Sequence, residues 1–289
     1  MRGGQHQILL LLEGLKKLGH SQTLLARDPL LEQWPGQAVG LASLWKSAKE
    51  ADLIHAHDSR AHTLATLACP RKPLVVSRRV AFEIRRGVLS HLKYSRVDRF
   101  LAVSKHVANE LSKASIALSK VEVIYDGVAV PPHSSISKRQ PCHVVGLSSD
   151  DPLKENALLQ KSIDQVNFSL HLSSNLVTDL RSASVFVYLS RCEGLGSAIL
   201  LAMALKVPVI ASRVGGIPEL VEHERTGLLV KNEVDDITDA LKRFECDPTL
   251  ANECTERAYQ YFLERFTSDI MVRHTEQAYR EVLTLRTPS

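Results

Sequence analysis

Glu193 opens the stretch of this sequence best suited to chemistry, EGLGSAILLAMALKVPVIAS at residues 193–212. The apolar run at 185–190 predicts a strand, which leads into Glu193-Gly194-Leu195-Gly196-Ser197 and then a helix. Small residues let a ligand approach the backbone closely, and the free N–H groups at a helix start favour a diphosphate. An ordinary strand–turn–helix connection has the same pattern, so this stretch alone leaves both interpretations open.

Two further glycine pairs favour the ligand-binding interpretation. Gly215-Gly216 follow another predicted strand, within VPVIASRVGGIPELVEHERTGLLV at 207–230. Gly3-Gly4 open a predicted helix near the amino terminus. Gly3-Gly4 follow no predicted strand and do not match G-x-G-x-x-G, which argues against a dinucleotide-dependent oxidoreductase.

The histidines and cysteines do not predict a metal site. His55 and His57 alternate along a predicted strand, so their side chains point to opposite faces and cannot readily share an ion. The five cysteines are scattered without CxxC spacing, which argues against a structural zinc site and a disulfide framework. We therefore expect no metal.

Strand and helix patterns alternate along the chain, which is typical of parallel sheets covered on both faces. A stretch with three prolines and no periodicity, GVAVPPHSSISKRQPCH at 127–143, interrupts the alternation. The sequence thus predicts an N-terminal domain over 1–130, a linker over 131–142 and a C-terminal domain over 143–268. A final helix at 269–289 is expected to pack back on the N-terminal domain. A ligand would bind in the cleft between the domains, at the carboxyl ends of their strands.

Charge is unevenly distributed along the chain. Residues 1–140 hold 21 Lys and Arg against 11 Asp and Glu, a net +10, and the remainder holds 15 against 21, a net −6. The basic cluster around Arg78, Arg79, Arg85 and Arg86 is either a solvated face or a surface for an anionic membrane or acceptor. Nucleic acid is the weakest alternative, because no binding motif or aromatic platform accompanies the arginines.

No apolar run reaches the roughly 18–20 residues needed to span a bilayer, and no signal peptide is recognisable. We therefore expect a cytoplasmic protein, at the inner face of the plasma membrane if the basic cluster binds lipid.

The chain resembles the family 4 glycosyltransferases, which are retaining nucleotide-sugar enzymes with the two-domain GT-B fold. Seven segments carry the resemblance in the family's order: Gly3-Gly4, DLIHAHDSRAHTLA, KYSRVDRFLAVSKHVANEL, VEVIYDGV, EGLGSAILLAMALKVPVIAS, GGIPELVEHERTGLLV and ERFTSDIMVRHTEQAYREVL. They span nearly the whole chain. The C-terminal segments are specific, whereas the isolated glycine pair is not.

The resemblance implies roles for particular residues. Glu193 would lie beside the donor sugar near its leaving bond, and Gly194, Leu195, Gly196 and Ser197 would face the sugar and diphosphate. His57 would lie beside the sugar, Lys154 would bind the diphosphate, and Gly3 and Gly4 would belong to the donor site. No cofactor is implied besides the nucleotide-diphosphate sugar, which is a substrate. The acceptor would attack on the face from which the leaving group departs, with a donor phosphate oxygen taking the proton.

Several features depart from the family pattern. The acid that usually holds the ribose, eight residues after Glu193, is Leu201 here, and the arginine expected near residues 147–154 is absent. A lost charge-assisted hydrogen bond costs roughly 1.5–3 kcal/mol, or about one to two decades of affinity. The C-terminal domain is shortened, and the N-terminal domain lacks the family's first strand. We expect Met1 to be an internal methionine of a longer natural chain.

The sequence therefore predicts an α/β protein with two Rossmann-like domains facing a cleft. Its expected function is retaining transfer of a sugar from a nucleotide-diphosphate sugar to a lipid-linked or cell-envelope glycan. The alternative is a non-catalytic homologue that binds a nucleotide or glycan, which Leu201, the missing arginine and the shortened domain favour.

Overall fold

The computed structural model describes residues 3–26, 30–82, 87–131 and 139–286. Arg85 and Arg86, which the sequence assigns to the basic cluster, lie outside these residues. The chain divides into two compact units, the first formed by Met1–Gly127 with Ser268–Ser289 and the second by Val128–Thr267. Within the second unit, the Val128 N–H donates to the Phe266 carbonyl oxygen over 3.0 Å. The two points at which the chain crosses between the units are therefore tied together.

The first unit begins with a helix and alternates strands with helices. Its elements are α1 (Gly3–Lys17), β1 (Leu24–Ala26), α2 (Leu30–Gln33), β2 (Gly36–Ala38), α3 (Leu41–Glu50), β3 (Ile54–Ala56), α4 (Ser59–Ala68), β4 (Leu74–Arg78), α5 (Val88–Ser95), β5 (Arg99–Ala102), α6 (Lys105–Lys113) and β6 (Val121–Val123).

The second unit continues the same alternation. Its elements are β7 (His143–Leu147), α7 (Asn156–Ile163), β8 (Ser169–Ser173), α8 (Leu176–Asp179), β9 (Val185–Tyr188), α9 (Ser197–Ala204), β10 (Val209–Ser212), β11 (Leu228–Val230), α10 (Val234–Cys246) and α11 (Pro248–Arg265). The last helix, α12 (Ser268–Arg286), returns to the first unit.

Every strand pairing in the two units is parallel among the described residues. The first unit holds a four-stranded sheet of order β3-β4-β5-β6 and a separate pair, β1-β2. The second unit holds one five-stranded sheet of order β11-β10-β9-β7-β8. The α/β class with parallel sheets, predicted from the alternation, is confirmed.

The apolar run QTLLA at 22–26 predicts a strand, and β1 lies there, whereas the predicted elements did not include β2 or α3. All three residues of β2 are exposed, so no apolar alternation marks this strand. Its pairing depends on Gly36, where a side chain would come within 2.6 Å of the Leu24 carbonyl oxygen. The sheet of the first unit is therefore in two pieces, held by contacts that local patterns do not reveal.

The core of the first unit lies between the four-stranded sheet and the helices α1 and α12. Leu11 and Leu15 of α1 and Val272 and Val282 of α12 pack in one cluster with Val75 of β4. Helices on the sheet begin with capping side chains at the carboxyl edge of the strands. The Asp58 carboxylate accepts from the N–H groups of Arg60 and Ala61 over 2.7 and 2.8 Å, and Ser104 caps α6 in the same way.

Burial explains the strands of the second unit. All four residues of β9 and all four of β10 are buried, as expected for central parallel strands covered on both faces. Helices α7, α10 and α11 contribute to the cluster that covers them. None of the helices within the described ranges combines the length and apolarity required to cross a membrane.

Candidate active site

The strand order of the second unit locates a site at the carboxyl ends of β7 and β9. Strand β8 is the neighbour of β7 on one side and lies at the edge of the sheet, whereas β9, the next strand along the chain, is the neighbour of β7 on the other side. At such a switch point, neighbouring connections diverge and leave a crevice that open α/β sheets use for ligands. Lys154 lies in the connection that follows β7, and Glu193 in the one that follows β9.

Glu193, Lys154 and Tyr188 form one hydrogen-bonded cluster in this crevice. The Lys154 Nζ donates to Glu193 Oε2 and, over 2.6 Å, to the Tyr188 hydroxyl. The Tyr188 hydroxyl donates to the same Glu193 oxygen over 2.6 Å. The side chains of Lys154 and Glu193 are 11% and 19% exposed. The cluster thus presents a fixed carboxylate and a fixed ammonium group.

Tyr188 is the buried member of the cluster. It is the last residue of β9 and only 4% exposed. Burial, and next to it the negative charge of Glu193, raise the pKa of Tyr188 well above its ordinary value. The hydroxyl therefore keeps its proton and remains a hydrogen-bond donor to Glu193.

The glycine loop after Glu193 starts α9. Gly196 has a φ of +95°, a left-handed conformation that glycine adopts without steric cost. Leu195 is buried, and Ser197 is the first residue of the helix. The Gly194 N–H donates to Glu193 Oε1 over 3.2 Å, so each oxygen of the carboxylate accepts a hydrogen bond.

A second turn with glycines, which follows β10, contacts the backbone of Glu193. Gly216 donates its N–H to the Glu193 carbonyl oxygen over 3.1 Å. Gly215 has a φ of +55°, and a side chain there would overlap that same carbonyl oxygen. The turn after β10 can therefore approach Glu193 only as glycine.

Buried polar groups fix the ends of the strands that carry the site. The Ser190 N–H donates to the Ser212 hydroxyl over 2.9 Å, which links β9 to β10. The Asn232 side chain accepts from Ser212 over 2.5 Å and donates to the Ser190 carbonyl oxygen over 2.9 Å. This network holds the loop from Ser190 to Glu193 in one position.

Leu201 and the missing arginine leave the second unit with fewer polar groups than the family pattern. Leu201 lies half-buried on α9, eight residues after Glu193, where its side chain can accept no hydrogen bond. The connection over residues 147–154 contains no arginine. Arg191, in the loop before Glu193, forms an ion pair with Glu155.

His57, Gly3 and Gly4 belong to the first unit, and His57 and Gly4 lie beside Arg79, whereas nothing lies within 4 Å of a side chain added at Gly3. His57 follows β3 and Arg79 follows β4, and Arg79 Nη1 approaches His57 Nδ1 to 3.4 Å. A side chain at Gly4 would meet the Arg79 Cδ at 3.7 Å, so the start of α1 lies against this arginine. Strand β3 ends at Ala56, so strand alternation does not apply to His57, and the prediction that His55 and His57 point to opposite faces is wrong: their ring centroids lie 3.9 Å apart. Burial, followed by the proximity of His55 and Arg79, lowers the pKa of His57 well below its ordinary value.

A buried glutamine joins α1 to the same group. The Gln7 side chain donates to the Gly127 carbonyl oxygen over 2.9 Å and accepts from the Gly127 N–H over 3.0 Å. Gln7 is only 1% exposed. This reciprocal pair fixes the turn at Asp126-Gly127, and Asp126 in turn accepts from Arg79 Nε over 3.1 Å.

Sequence reasoning missed Tyr188, Gln7 and the pairing of Arg79 with Asp126. A tyrosine that ends an otherwise apolar strand, in VFVY, is the signal that could have singled out Tyr188. The other contacts join residues 120 and 47 positions apart and have no local signature.

Two family models match the chain. Residues 1–130 match the model described as Glycosyltransferase Family 4, and residues 134–261 match Glycosyl transferases group 1. Together they account for most of both units.

Curated relatives match a part of the chain. N-acetyl-alpha-D-glucosaminyl L-malate synthase of Bacillus anthracis is 35% identical over 121 residues, which cover 42% of this chain and 32% of that protein. Alpha-maltose-1-phosphate synthase of Mycolicibacterium smegmatis is 37% identical over 110 residues, which cover 36% and 28%. The aligned segments thus span about a third of the curated relatives' length.

Solved structures match the whole fold. Anabaena Alr3699/HepE in complex with UDP and glucose superposes with a TM-score of 0.82 at 17% identity, covering 97% of this chain and 96% of that chain. A glycosyltransferase from Rickettsia africae gives a TM-score of 0.83 at 16% identity, covering 98% and 95%. The fold is that of the GT-B glycosyltransferases. Both models describe glycosyltransferases, so the chain is a glycosyltransferase of the GT-B type, and its residues 1–130 match the family 4 model as the resemblance predicted.

Proposed function

We propose that this chain transfers a sugar from a nucleotide-diphosphate sugar to an acceptor, with retention of the anomeric configuration. The observation that carries the proposal is the Glu193–Lys154–Tyr188 cluster at the switch point of the second unit. It lies in the part of the chain matched by the Glycosyl transferases group 1 model. The solved neighbour with UDP and glucose supports a nucleotide-sugar donor.

Lys154 and Glu193 of the cluster have different roles in the proposed reaction. The Lys154 ammonium stabilises the negative charge that develops on the departing diphosphate. The N–H groups at the start of α9 assist it, because a helix start favours phosphate. Glu193 contacts the donor sugar, and a donor phosphate oxygen accepts the proton of the acceptor hydroxyl. The reaction uses no cofactor besides the donor, which is a substrate.

The test is a panel of UDP-, GDP- and ADP-sugars, first by thermal shift and then by donor hydrolysis. We expect one donor to raise the melting temperature of the full chain and to be hydrolysed slowly. Glu193→Gln should cut turnover while leaving the melting temperature nearly unchanged. Wild-type turnover by Glu193→Gln would show that Glu193 is not a catalytic residue. NMR of the transfer product then reads the anomeric configuration directly.

Leu201 and the absent arginine favour a second candidate, a homologue that binds a nucleotide or glycan without catalysis. Donor hydrolysis separates the candidates, because a binder raises the melting temperature without turnover. Leu201→Glu restores the carboxylate that the family uses for the ribose, with Leu201→Ala as the matched control for loss of the leucine. We expect only the glutamate to tighten donor binding, by about one to two decades.

We further propose that the acceptor is a lipid-linked or cell-envelope glycan met at the inner face of the plasma membrane. The surface that supports this proposal is α5, where Val88, Leu89 and Leu92 are 79%, 83% and 59% exposed. Phe82, in the segment before it, is 54% exposed. An apolar helix face beside a basic segment fits an anionic bilayer.

The predicted basic surface needs correction at Arg79. Its side chain is only 18% exposed and is paired with Asp126, so it is not available to a membrane. Arg78 remains at the surface, where its guanidinium donates to the carbonyl oxygens of Val80 and Phe82. Arg85 and Arg86 lie outside the described residues.

Vesicle sedimentation tests the membrane surface. We expect the full chain to bind vesicles that contain anionic lipid, to bind neutral vesicles weakly, and to be released by salt. Replacing both Leu89 and Leu92 by serine should abolish binding. The control is Leu67→Ser, at a leucine that is 70% exposed on α4. Salt-independent binding, or equal loss in the control, would contradict the assignment to α5.

A further inference from the structure

Arg79 connects the carboxyl ends of the sheet in the first unit. It follows β4, whereas His57 follows β3 and Asp126 lies three residues beyond β6. The guanidinium donates from Nε to Asp126 Oδ1 over 3.1 Å and from Nη1 to His57 Nδ1 over 3.4 Å. Asp126 is only 5% exposed, so its carboxylate holds Arg79 from a buried position.

The contact with Arg79 determines which nitrogen of His57 carries the proton. A guanidinium has five N–H donors and no acceptor. His57 Nδ1 must therefore accept with its lone pair, and the proton of the neutral ring must lie on Nε2. A protonated His57 would direct an Nδ1–H at a cation, which the geometry disfavours.

The surroundings of His57 reinforce the neutral state. The charged and titratable groups that face it within the described residues are Arg79 and His55, whose ring centroid lies 3.9 Å away. His55 is itself held, by the Tyr279 hydroxyl at Nδ1 over 2.6 Å and by Ser77 at Nε2 over 2.8 Å. Burial, and next to it Arg79, lower the pKa of His55 to about 3. Neither ring gains a proton near neutral pH.

We propose that Arg79 is a positioning residue that fixes His57 as its neutral Nε2–H tautomer, so that His57 offers a ligand oxygen a hydrogen-bond donor and does not act as a base. The identity of the ligand rests on the proposed function, whereas the tautomer does not. Asp126 contributes as well, because its carboxylate orients the Arg79 guanidinium toward His57.

NMR of the full chain with ¹⁵N-labelled histidine tests the tautomer without any substrate, and His57→Gln assigns the signals. In the wild type we expect a protonated Nε2 and an unprotonated Nδ1, unchanged between about pH 8 and pH 6, across the ordinary histidine pKa. Arg79→Met should give a mixture of tautomers that titrates in this range. Arg79→Lys, which keeps a donor and a charge, should restore the wild-type signals at least in part.

Two variants control for damage to the fold. Arg78→Met removes the neighbouring arginine, which contacts the Val80 and Phe82 carbonyl oxygens and not His57. Arg79→Met combined with Asp126→Asn avoids leaving a buried carboxylate unpaired. An Nδ1–H or doubly protonated His57 in the wild type would overturn the proposal, as would an unchanged tautomer in folded Arg79→Met.

Kinetics extend the test once a donor is known. We expect kcat/KM of the wild type to be flat from about pH 8 to pH 6, and Arg79→Met to lose about tenfold and to gain a dependence on pH near the ordinary histidine pKa. If the chain transfers no sugar but the NMR result holds, the proposed function fails and the tautomer assignment stands. Equal pH profiles for both proteins would overturn the role of Arg79.

Discussion

Tyr188 shows how one side chain can organise two charges. Its hydroxyl accepts from the Lys154 ammonium and donates to the Glu193 carboxylate, both over 2.6 Å. The Lys154 Nζ also lies 4.4 Å from the centre of the Tyr188 ring. Because the tyrosine is buried and neutral, it orients both groups without adding a charge to the site.

Removing this hydroxyl tests its contribution. Tyr188→Phe keeps the ring but leaves Glu193 Oε2 with Lys154 alone, and we expect kcat/KM to fall about 10- to 100-fold, since hydrogen bonds to charged groups contribute about 1.5–3 kcal/mol. The matched control is Tyr261→Phe, whose hydroxyl donates to the Glu219 carbonyl oxygen over 3.2 Å. If kcat/KM falls no further in Tyr188→Phe than in Tyr261→Phe, the Tyr188 hydroxyl does not contribute to the reaction.

At the scale of elements, two glycine turns position the acid. The loop after β9 carries Glu193, and the turn after β10 supports its backbone through Gly215 and Gly216. The two strands are adjacent and parallel, with Ala211 opposite Tyr188. Their loops therefore leave the same edge of the sheet together, and the position of Glu193 depends on both.

Gly215→Ala should displace Glu193 while the sheet persists. The new methyl group would overlap the Glu193 carbonyl oxygen, and the φ of +55° disfavours alanine. We expect turnover to fall at least tenfold, with circular dichroism unchanged. Gly19→Ala is the control, because Gly19 has a φ of +86° but nothing lies within 4 Å of the added methyl group. Equal losses of activity would assign the effect to backbone strain.

At the scale of the whole molecule, the chain builds the first unit from both of its ends. Helix α12 packs against α1, and Arg286 near its end donates to Asp98 Oδ1 over 2.7 Å. The second unit is one continuous stretch, Val128–Thr267. Perturbing groups buried in one unit should therefore change the stability of that unit first.

His62 makes the stability of the first unit sensitive to acid. It is 2% exposed, donates to the Lys93 carbonyl oxygen over 3.1 Å, and has a pKa lowered to about 4 by burial and next by the charge of Lys93. The unfolded chain, with a histidine pKa near 6.5, binds the proton more readily. The contribution of neutral His62 to the free energy of unfolding is therefore complete above about pH 6.5. It decreases as the pH falls toward 4, by on the order of 3 kcal/mol.

Hydrogen exchange measures this effect in each unit separately. After correction for the intrinsic pH dependence of exchange, amides of β4 and β5 should lose more protection between about pH 7 and pH 5 in the wild type than in His62→Gln. His274→Gln is the control, since that histidine is exposed on α12. Identical slopes in wild type and His62→Gln would contradict the prediction.

The sequence by itself determined the fold class and the loop that carries Glu193. Buried runs such as those of β9 and β10 predict central parallel strands, because both faces of such strands are covered. Asp58 and Ser104 mark helix starts, because their side chains satisfy free N–H groups. The glycines after Glu193 predict a loop that approaches a ligand. These signals are local, so the order of the residues is sufficient to read them.

Only the tertiary structure decided which distant side chains meet. Lys154 reaches Glu193, 39 residues away, because β7 pairs with β9 while β8 lies on the other side of β7. Arg79 reaches Asp126, 47 residues away, across the ends of a four-stranded sheet. Strand order depends on how whole faces pack together, and local patterns do not encode it. The sequence therefore predicts Glu193, but the contacts of Tyr188 and of Arg79 become visible only in the folded chain.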